Sequence, residues 1–302
     1  MKIIFVVNPN AGRVNRVQEI KDKLLPFQKE YDAAVYETKS RGDAELFVRE
    51  YLKTHSNDET YRFIACGGDG TLYDVVNGAM GFPNAEVGCM ALGSGNDFVK
   101  NFHDLKVFQD VEKALKAAPH PIDVIKVNGK YCVNITNFGF DGEVTFAQLR
   151  YKHWPLVSGP MAYKLAAISS LLFKLNHHLT ITVDDKVVFK GKGLLAIAAN
   201  GYCYGGGFHC APLAKIDDEE IDFCIVKKIS RFKAAGFMSS FRNGEHLTKE
   251  GIKEYVIYLH GKKAIFESDK DTAYAIDGEV FRKKKLEIEL LPHALKFAVP
   301  AE

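Results

Sequence analysis

Tyr61-Arg62-Phe63-Ile64-Ala65-Cys66-Gly67-Gly68-Asp69-Gly70-Thr71-Leu72-Tyr73-Asp74-Val75-Val76-Asn77-Gly78 decides how the chain is read. The apolar run Phe63 to Cys66 predicts a buried strand. Gly67, Gly68 and Gly70 predict a sharp turn, and Leu72, Val75 and Val76 recur at helical spacing. The unit is a strand, a tight loop and the start of a helix. Glycines let backbone N–H groups approach a bound group with no Cβ in the way, and a helix N-terminus adds partial positive charge, so the loop suits a phosphate. Asp69 changes that expectation. A carboxylate inside a phosphate cradle repels the ligand unless a cation lies between them, which points to a magnesium nucleotide. A plain strand-to-helix turn with Asp69 as the N-cap is the competing reading.

The surrounding chain narrows the choice. Its 302 residues, 47% of them hydrophobic, bury a substantial core and predict two domains. The formal net charge is +2, from 40 basic and 38 acidic residues, so nothing global points to nucleic acid, although local basic clusters could still meet anionic lipid. Six cysteines (66, 89, 132, 203, 210 and 224) are scattered through apolar runs with no CxxC pair. They read as reduced core residues. The N-terminus runs straight into a strand without a signal-peptide pattern. The apolar stretch from Met161 to Phe173 is broken by Lys164 and is too short to span a bilayer, so a cytoplasmic protein without a transmembrane segment is expected.

Ile3 to Val7 predicts another strand, ending at Asn8-Pro9-Asn10-Ala11-Gly12 before a helix marked by Val17, Ile20 and Leu24. Ala33 to Glu37 predicts a strand, and Asp43 is the expected cap of a helix with Ala44, Phe47, Val48, Tyr51 and Leu52 inward. Val87 to Leu92 is followed by Gly93-Ser94-Gly95-Asn96-Asp97-Phe98, a further glycine loop expected to open a helix. Strands alternating with helices imply a mostly parallel sheet whose ligands sit beyond the carboxyl ends of the strands. All three glycine loops fall at that edge.

The pattern changes near Pro119-His120-Pro121. Leu179 to Val183, a turn at Asp184-Asp185 and Val187 to Phe189 predict a hairpin, and short alternating runs recur at Lys263 to Phe266, Leu286 to Leu291 and Leu295 to Val299. Helices are expected at Gly159 to Leu175 and Arg231 to Phe241. The fold class expected is therefore an α/β, Rossmann-like, mostly parallel N-terminal nucleotide-binding domain over 1–121. A β-rich, antiparallel, sandwich-like domain over 122–302 follows, its last ten or so residues free to pack back on the first. Two stretches of the second domain stand out. Gly205-Gly206-Gly207 precedes the acidic cluster Asp217-Asp218-Glu219-Glu220, which offers oxygens to a hard cation or is a solvated turn. Asp277-Gly278-Glu279 is either a common hairpin turn or a general base and its partner.

Taken together these motifs carry a likeness. NPxxG at 8–12, GGDGT at 67–71, GSGNDF at 93–98, GGG…APLAKIDD at 205–218 and DGE at 277–279, in this order, resemble the bacterial diacylglycerol kinase and lipid kinase family. That family is related to sphingosine and ceramide kinases and, more distantly, to NAD kinases. No complete Walker-A motif is present, so no P-loop lysine holds the phosphates.

The resemblance implies ATP and Mg²⁺ as cofactors and phosphoryl transfer to a lipid hydroxyl, most readily diacylglycerol to phosphatidic acid. It places Asn8, Pro9, Asn10, Ala11, Gly12, Thr38, Gly67, Gly68, Asp69, Gly70, Thr71, Leu72, Tyr73, Asp74 and Ser94 along the nucleotide. Asp69, Asp97 and Asp123 would form a water-linked network around magnesium. Lys215, Asp218 and Glu220 match a metal loop in which Lys215 and Glu220 contribute backbone carbonyls, and Asp277 and Glu279 match the catalytic DGE. Two departures stand out: Tyr73-Asp74 where the family commonly has Asn-Glu, and Glu219 where the metal loop usually has glycine. The lipid would be met at a membrane surface by transient peripheral association, with Trp154, beside Lys152, His153, Leu156 and Val157, as an interfacial contact or a core residue. A homodimer is left open. An NAD kinase-like enzyme and a non-catalytic nucleotide- or lipid-binding regulator are the other readings.

Overall fold

The computed structural model describes residues 1–12, 14–56, 58–102, 104–151 and 176–301. The expected helix at 159–175 and the stretch around Trp154 lie outside the described residues. The chain divides into two compact units, one formed by Met1–Val124 with Pro292–Glu302 and the other by Ile125–Leu291.

The first unit contains β1 (Lys2–Val7), α1 (Val17–Leu24), β2 (Asp32–Glu37), α2 (Asp43–Thr54), β3 (Tyr61–Gly67), α3 (Asp69–Ala79), β4 (Ala85–Ala91), α4 (Val111–Lys116) and the start of β5 (Ala118–Val127). β1 pairs in parallel with both β2 and β3, and β3 pairs in parallel with β4. Every residue of β3 and β4 is buried, as expected of parallel strands covered on both faces. Arg62 and Glu86 are tolerated there because they pair at 2.7 Å, while Arg62 also donates to the carbonyl of Ala117 at 2.7 Å. Val17, Ile20 and Leu24 of α1 and Ala44, Val48 and Leu52 of α2 are buried at the expected spacing.

Two local expectations differ. Asp43 is the first residue of α2, not its cap. Its carboxylate accepts from the Lys39 N–H at 2.8 Å and the Tyr36 hydroxyl at 2.9 Å, so it closes the preceding turn instead. The loop after β4 opens only a single 3-10 turn, Phe98–Asn101, because Phe102 is already extended.

The second unit holds β6 (Lys130–Cys132), β7 (Ile135–Gly139), α5 (Phe140–Tyr151), β8 (His177–Val183), β9 (Lys186–Ala199), β10 (Ile221–Lys227), α6 (Arg231–Arg242), β11 (Val256–Gly261), β12 (Lys263–Ile276) and most of β13 (Glu279–Val299). Its pairings are antiparallel, in the order β11, β10, β9, β7, β12, β13, with β8 beside β9 and β12. The expected hairpin is present at β8 and β9, with Asp184 and Asp185 both at positive φ in its two-residue turn. β8 alternates buried and half-exposed residues, whereas the last seven residues of β9 are buried throughout. Phe140 and Val144 of α5 and Phe237 and Phe241 of α6 pack in the core with Leu195, Ile197 and Val226.

The short C-terminal runs expected from the sequence are pieces of longer strands. β13 is 21 residues long. It pairs with β12 from Glu279 to Glu289, and its far end, Lys296 to Ala298, pairs in parallel with β4. The fold class is thus the one expected: a mostly parallel α/β unit and an antiparallel β-rich unit. All six cysteines are free and buried. Among the described residues no helix is long and apolar enough to cross a membrane.

Candidate functional site

In the first unit, loops follow the carboxyl ends of β1, β3 and β4, and they pack backbone against backbone. The N–H groups of Leu92 and Gly93 donate to the carbonyl of Gly67 at 2.8 and 3.0 Å, and the Asn8 N–H donates to Cys66 O at 3.0 Å. A Cβ on Gly93 would lie 2.4 Å from the Gly68 Cα, and one on Gly67 would lie 2.2 Å from Thr71 Oγ1. Glycine is required here because nothing larger fits between the loops. The Asn8 side chain accepts from the Asn10 N–H at 2.9 Å and donates to Thr71 Oγ1 at 3.3 Å, which joins the Asn8-Pro9-Asn10-Ala11-Gly12 turn to α3.

Asp69 is the first residue of α3, and Gly68 is its N-cap. The N-cap alternative for Asp69 is therefore not what forms. Its carboxylate instead reaches across to the loop after β4, where Oδ1 accepts from the Asp97 N–H at 2.6 Å and the Phe98 N–H at 3.5 Å. Gly95 makes room for it, since a Cβ there would lie 2.7 Å from Asp69 Oδ2. Burial, and then the neighbouring charge of Asp97, raise the Asp69 carboxyl above the usual carboxylate range. Lys100 forms an ion pair with Asp97.

The remaining candidates of this unit spread around that centre. Leu72 and Tyr73 are buried in α3, Gly70 is half-buried and Ser94 is exposed on the loop after β4. Thr38 is buried, with its N–H on Val7 O at 2.9 Å. Asp74, one of the family departures, accepts from the Gly42 N–H at 3.1 Å and so steadies the turn entering α2. Asp123 is fully buried in β5, and its Oδ1 accepts from the His293 N–H at 2.8 Å.

In the second unit, Asp277 and Gly278 form the two-residue turn between β12 and β13, with φ of 47° and 89°. That is the backbone of a type I′ hairpin turn. Its Asp277 carboxylate does much more than turn. Oδ2 accepts from the Val133 N–H at 2.8 Å, and Oδ1 accepts from the N–H groups of Asn134 and Ile135 at 3.1 and 3.0 Å and from the Cys132 thiol at 3.0 Å. Burial pushes this carboxyl up to about 6 against those hydrogen bonds, which favour the charged form. Glu279 is half-buried one step beyond, opposite Ile276 in the ladder.

The acidic loop is exposed at Lys215, Asp217, Asp218 and Glu219. Asp218 Oδ1 accepts from the Glu220 N–H at 3.3 Å, and the Glu220 carboxylate meets His260 Nδ1 at 2.6 Å. Glu219 stands at φ 61°, the left-handed region that glycine occupies at little cost, so the departure at this position carries backbone strain. Among the described residues no group of three or more His, Cys, Asp or Glu side chains is arranged to hold a metal ion.

Three features were not anticipated from the sequence. The amides of 133–135 form a receptor for Asp277, and no local pattern marks a bare backbone as one. Buried Glu143 holds Arg282 at 3.0 Å and accepts from the Ala273 N–H at 3.3 Å. Tyr204 donates its hydroxyl to Asp141, whose carboxyl burial pushes up to about 7. Acidic letters between the apolar residues Phe138, Phe140 and Val144 were the available signal for the last two.

Comparison with known proteins bears on both units. Residues 2–127 match the family described as "Diacylglycerol kinase catalytic domain", and residues 134–299 match "YegS C-terminal NAD kinase beta sandwich-like domain". A diacylglycerol kinase of Staphylococcus aureus (strain MRSA252) is 30% identical over 280 residues, covering 91% of this chain and 85% of that protein. The crystal structure of a diacylglycerol kinase from Bacillus anthracis str. Sterne superposes with a TM-score of 0.71 at 20% identity, covering 99% of this chain and 96% of that one. An NAD kinase from Archaeoglobus fulgidus in complex with ATP gives a TM-score of 0.52 at 12% identity, covering 99% and 93% of the two chains. The 30% identity across nine-tenths of the chain, with the matches to both domain descriptions, makes this chain a member of the diacylglycerol kinase family.

Proposed function

We propose that this protein is an ATP- and Mg²⁺-dependent lipid kinase that phosphorylates a lipid hydroxyl, with diacylglycerol as acceptor and phosphatidic acid as product. The observation that carries the reading is the packing of the 8–12 and 93–98 glycine loops against the Gly67–Thr71 loop that carries Asp69, in a member of the diacylglycerol kinase family. The protein would work in the cytoplasm and meet its acceptor by transient peripheral association with a membrane.

Phosphoryl transfer asks little covalent chemistry of a protein, so the residues act by position and charge. Thr71 and Leu72 already donate to the carbonyl of Gly68, and Asn10 and Ala11 to Asn8, so the donors assigned to phosphate oxygens are the amides of Gly12, Gly68 and Gly70, at the positive end of α3. Thr38, Leu72, Tyr73, Asp74 and Ser94 complete the nucleotide surface. Asp69 and Asp97 fit a divalent cation: burial and then the charge of Asp97 disfavour the ionised form of Asp69, and a cation nearby relieves that cost. Asp123 joins them through water. Magnesium, when bound, neutralises charge on the transferring phosphoryl group. Asp218, with the carbonyls of Lys215 and Glu220, fits a second, structural cation, since one carboxylate facing solvent needs backbone oxygens to complete its shell.

At the DGE, Oδ1 of Asp277 already takes three donors, so Asp277 serves as a positioning residue that fixes the turn. Glu279 is assigned the proton from the acceptor hydroxyl. General base catalysis is worth about 100- to 10,000-fold. Incubation with labelled ATP, magnesium, diacylglycerol and NAD tests the reading: label in lipid supports it, and label in NAD alone contradicts it.

A further inference from the structure

Four donors meet the Asp277 carboxylate, and three of them are backbone amides, those of Val133, Asn134 and Ile135, which any residue but proline would supply. The fourth is a side chain. The Cys132 thiol donates to Oδ1 at 3.0 Å from the end of β6, where Cys132 is fully buried and paired with Ile125 of β5. Position 132 is therefore where a change of sequence can alter the receptor without rebuilding its backbone.

The receptor itself is held from behind. The Asn200 side chain donates to Val133 O at 2.9 Å, the Asn200 N–H donates to Asn134 O at 2.8 Å, and the Asn134 side chain donates to Cys203 O at 3.0 Å. In front, the Asp277 N–H donates to Ile135 O at 3.1 Å. The amides are fixed and do not follow a change at the carboxylate. Of the ionisable groups around Asp277, β6 contributes Cys132, β7 contributes amides only, the 200–203 stretch contributes Cys203, and β13 contributes Glu279 across the turn. Burial, then the charge of Asp277, push the Cys132 thiol well above its ordinary value, so it remains a donor through the neutral range.

We infer that Cys132 is a positioning residue: its thiol helps hold Asp277 in the ionised, four-donor state that fixes the turn and, with it, Glu279. A carboxylate accepts hydrogen bonds more strongly than a carboxylic acid does. When Asp277 takes up a proton, one oxygen becomes a donor facing N–H and S–H groups, so the turn loosens and Glu279 loses its place. A hydrogen bond to a charged group at the weak end of the range, as suits a thiol, changes the proton equilibrium by about tenfold, or about one pH unit. The inference rests on the lipid-kinase reading for its effect on turnover, and not for its effect on stability.

The experiment compares the parent with Cys132→Val, which fills the site without a donor, Cys132→Ala, which adds no bulk, and Cys132→Ser, which restores a donor. Denaturant unfolding is measured from pH 5 to pH 8. The folded Asp277 carboxyl, at about 6, lies above its ordinary 3.8, so the stability it contributes is present below about pH 4 and lost as pH rises through about 6. Without the thiol that loss runs about one unit further. The unfolding constant of the Val and Ala variants, relative to the parent, should therefore rise roughly tenfold across the range, while that of the Ser variant stays within about twofold. In single-turnover lipid phosphorylation the acid limb of the rate should move up by about one pH unit in the Val and Ala variants and return in Cys132→Ser. A side chain that only packs would weaken the fold equally at every pH and leave the limb in place. A pH-independent unfolding ratio overturns the inference, as does a Ser variant that behaves like Ala. An unmoved acid limb in active Val and Ala variants overturns the positioning role even where the ratio rises. A parent that phosphorylates no lipid while the ratio still rises removes the kinase reading and keeps the hold of the thiol on Asp277.

Discussion

Asp69 and Asp277 are each followed by glycine at the end of a strand, yet their carboxylates live differently. Asp69 accepts one short and one long hydrogen bond from the loop after β4, and burial, then the neighbouring charge of Asp97, raise its proton affinity. Asp277 accepts three backbone N–H groups and a thiol. The same residue type keeps two hydrogen bonds to a neighbouring loop in one unit and takes four donors of its own chain in the other. The number of donors already satisfied separates a group poised to act from one that holds its neighbours in place.

The largest effect should come from Asp277. An Asp277→Asn variant keeps the shape but offers one acceptor oxygen and an NH₂ group to a ring of donors. Burying unsatisfied amides should cost about 3–5 kcal/mol and lower Tm by about 10 °C. A Tm within a degree or two of the parent would erase the contrast, leaving Asp277 as an ordinary turn residue. Next comes Asp69→Ala, which should lower phosphoryl transfer at least about 100-fold while circular dichroism and Tm change little, because only two hydrogen bonds are lost. Near-parental turnover would remove Asp69 from the reacting centre.

Asp141 sharpens the comparison through pH. Its folded value of about 7 lies above the ordinary 3.8, so the folded state holds its proton more tightly than the unfolded chain. The stability it contributes is fully present below about pH 4 and is lost as pH rises through about 7. Asp141→Asn, which keeps an oxygen for Tyr204, should therefore gain on the parent by about 2.6 kcal/mol between pH 5 and pH 8 in denaturant melts. A constant difference across that range would mean that the carboxyl is not desolvated. The smallest effect concerns the 215–220 loop. Magnesium without nucleotide should raise Tm by a few degrees, and Asp218→Ala should remove most of that shift. An unchanged shift would leave the loop as a solvated turn.

Local pattern carried much of this fold into view. The glycine loops at 8–12, 67–70 and 93–95 announce their strand ends because close backbone approach excludes every other residue. The 184–185 turn announces its hairpin for a related reason, since both residues need positive φ. What stayed hidden depended on distant partners. Nothing near Asp277 indicates that its ligands are amides about 143 residues away. β13 looked like separate pieces because its charged run at 282–285 and Pro292 interrupt the alternation, yet one strand spans both units. The helix expected after Asp97 shrank to one turn, and the Glu219 departure proved to be a left-handed residue that sequence could flag but not place.

The most direct measurement is single-turnover transfer of labelled phosphate from ATP to diacylglycerol, with NAD as the competing acceptor, by the parent and by Glu279→Gln. The parent should label diacylglycerol and leave NAD unlabelled, and Glu279→Gln should transfer at least about 100-fold more slowly with ATP affinity within a few-fold of the parent. Label appearing in NAD alone, or Glu279→Gln transferring at the parental rate, would contradict a lipid kinase that uses Glu279 as its base.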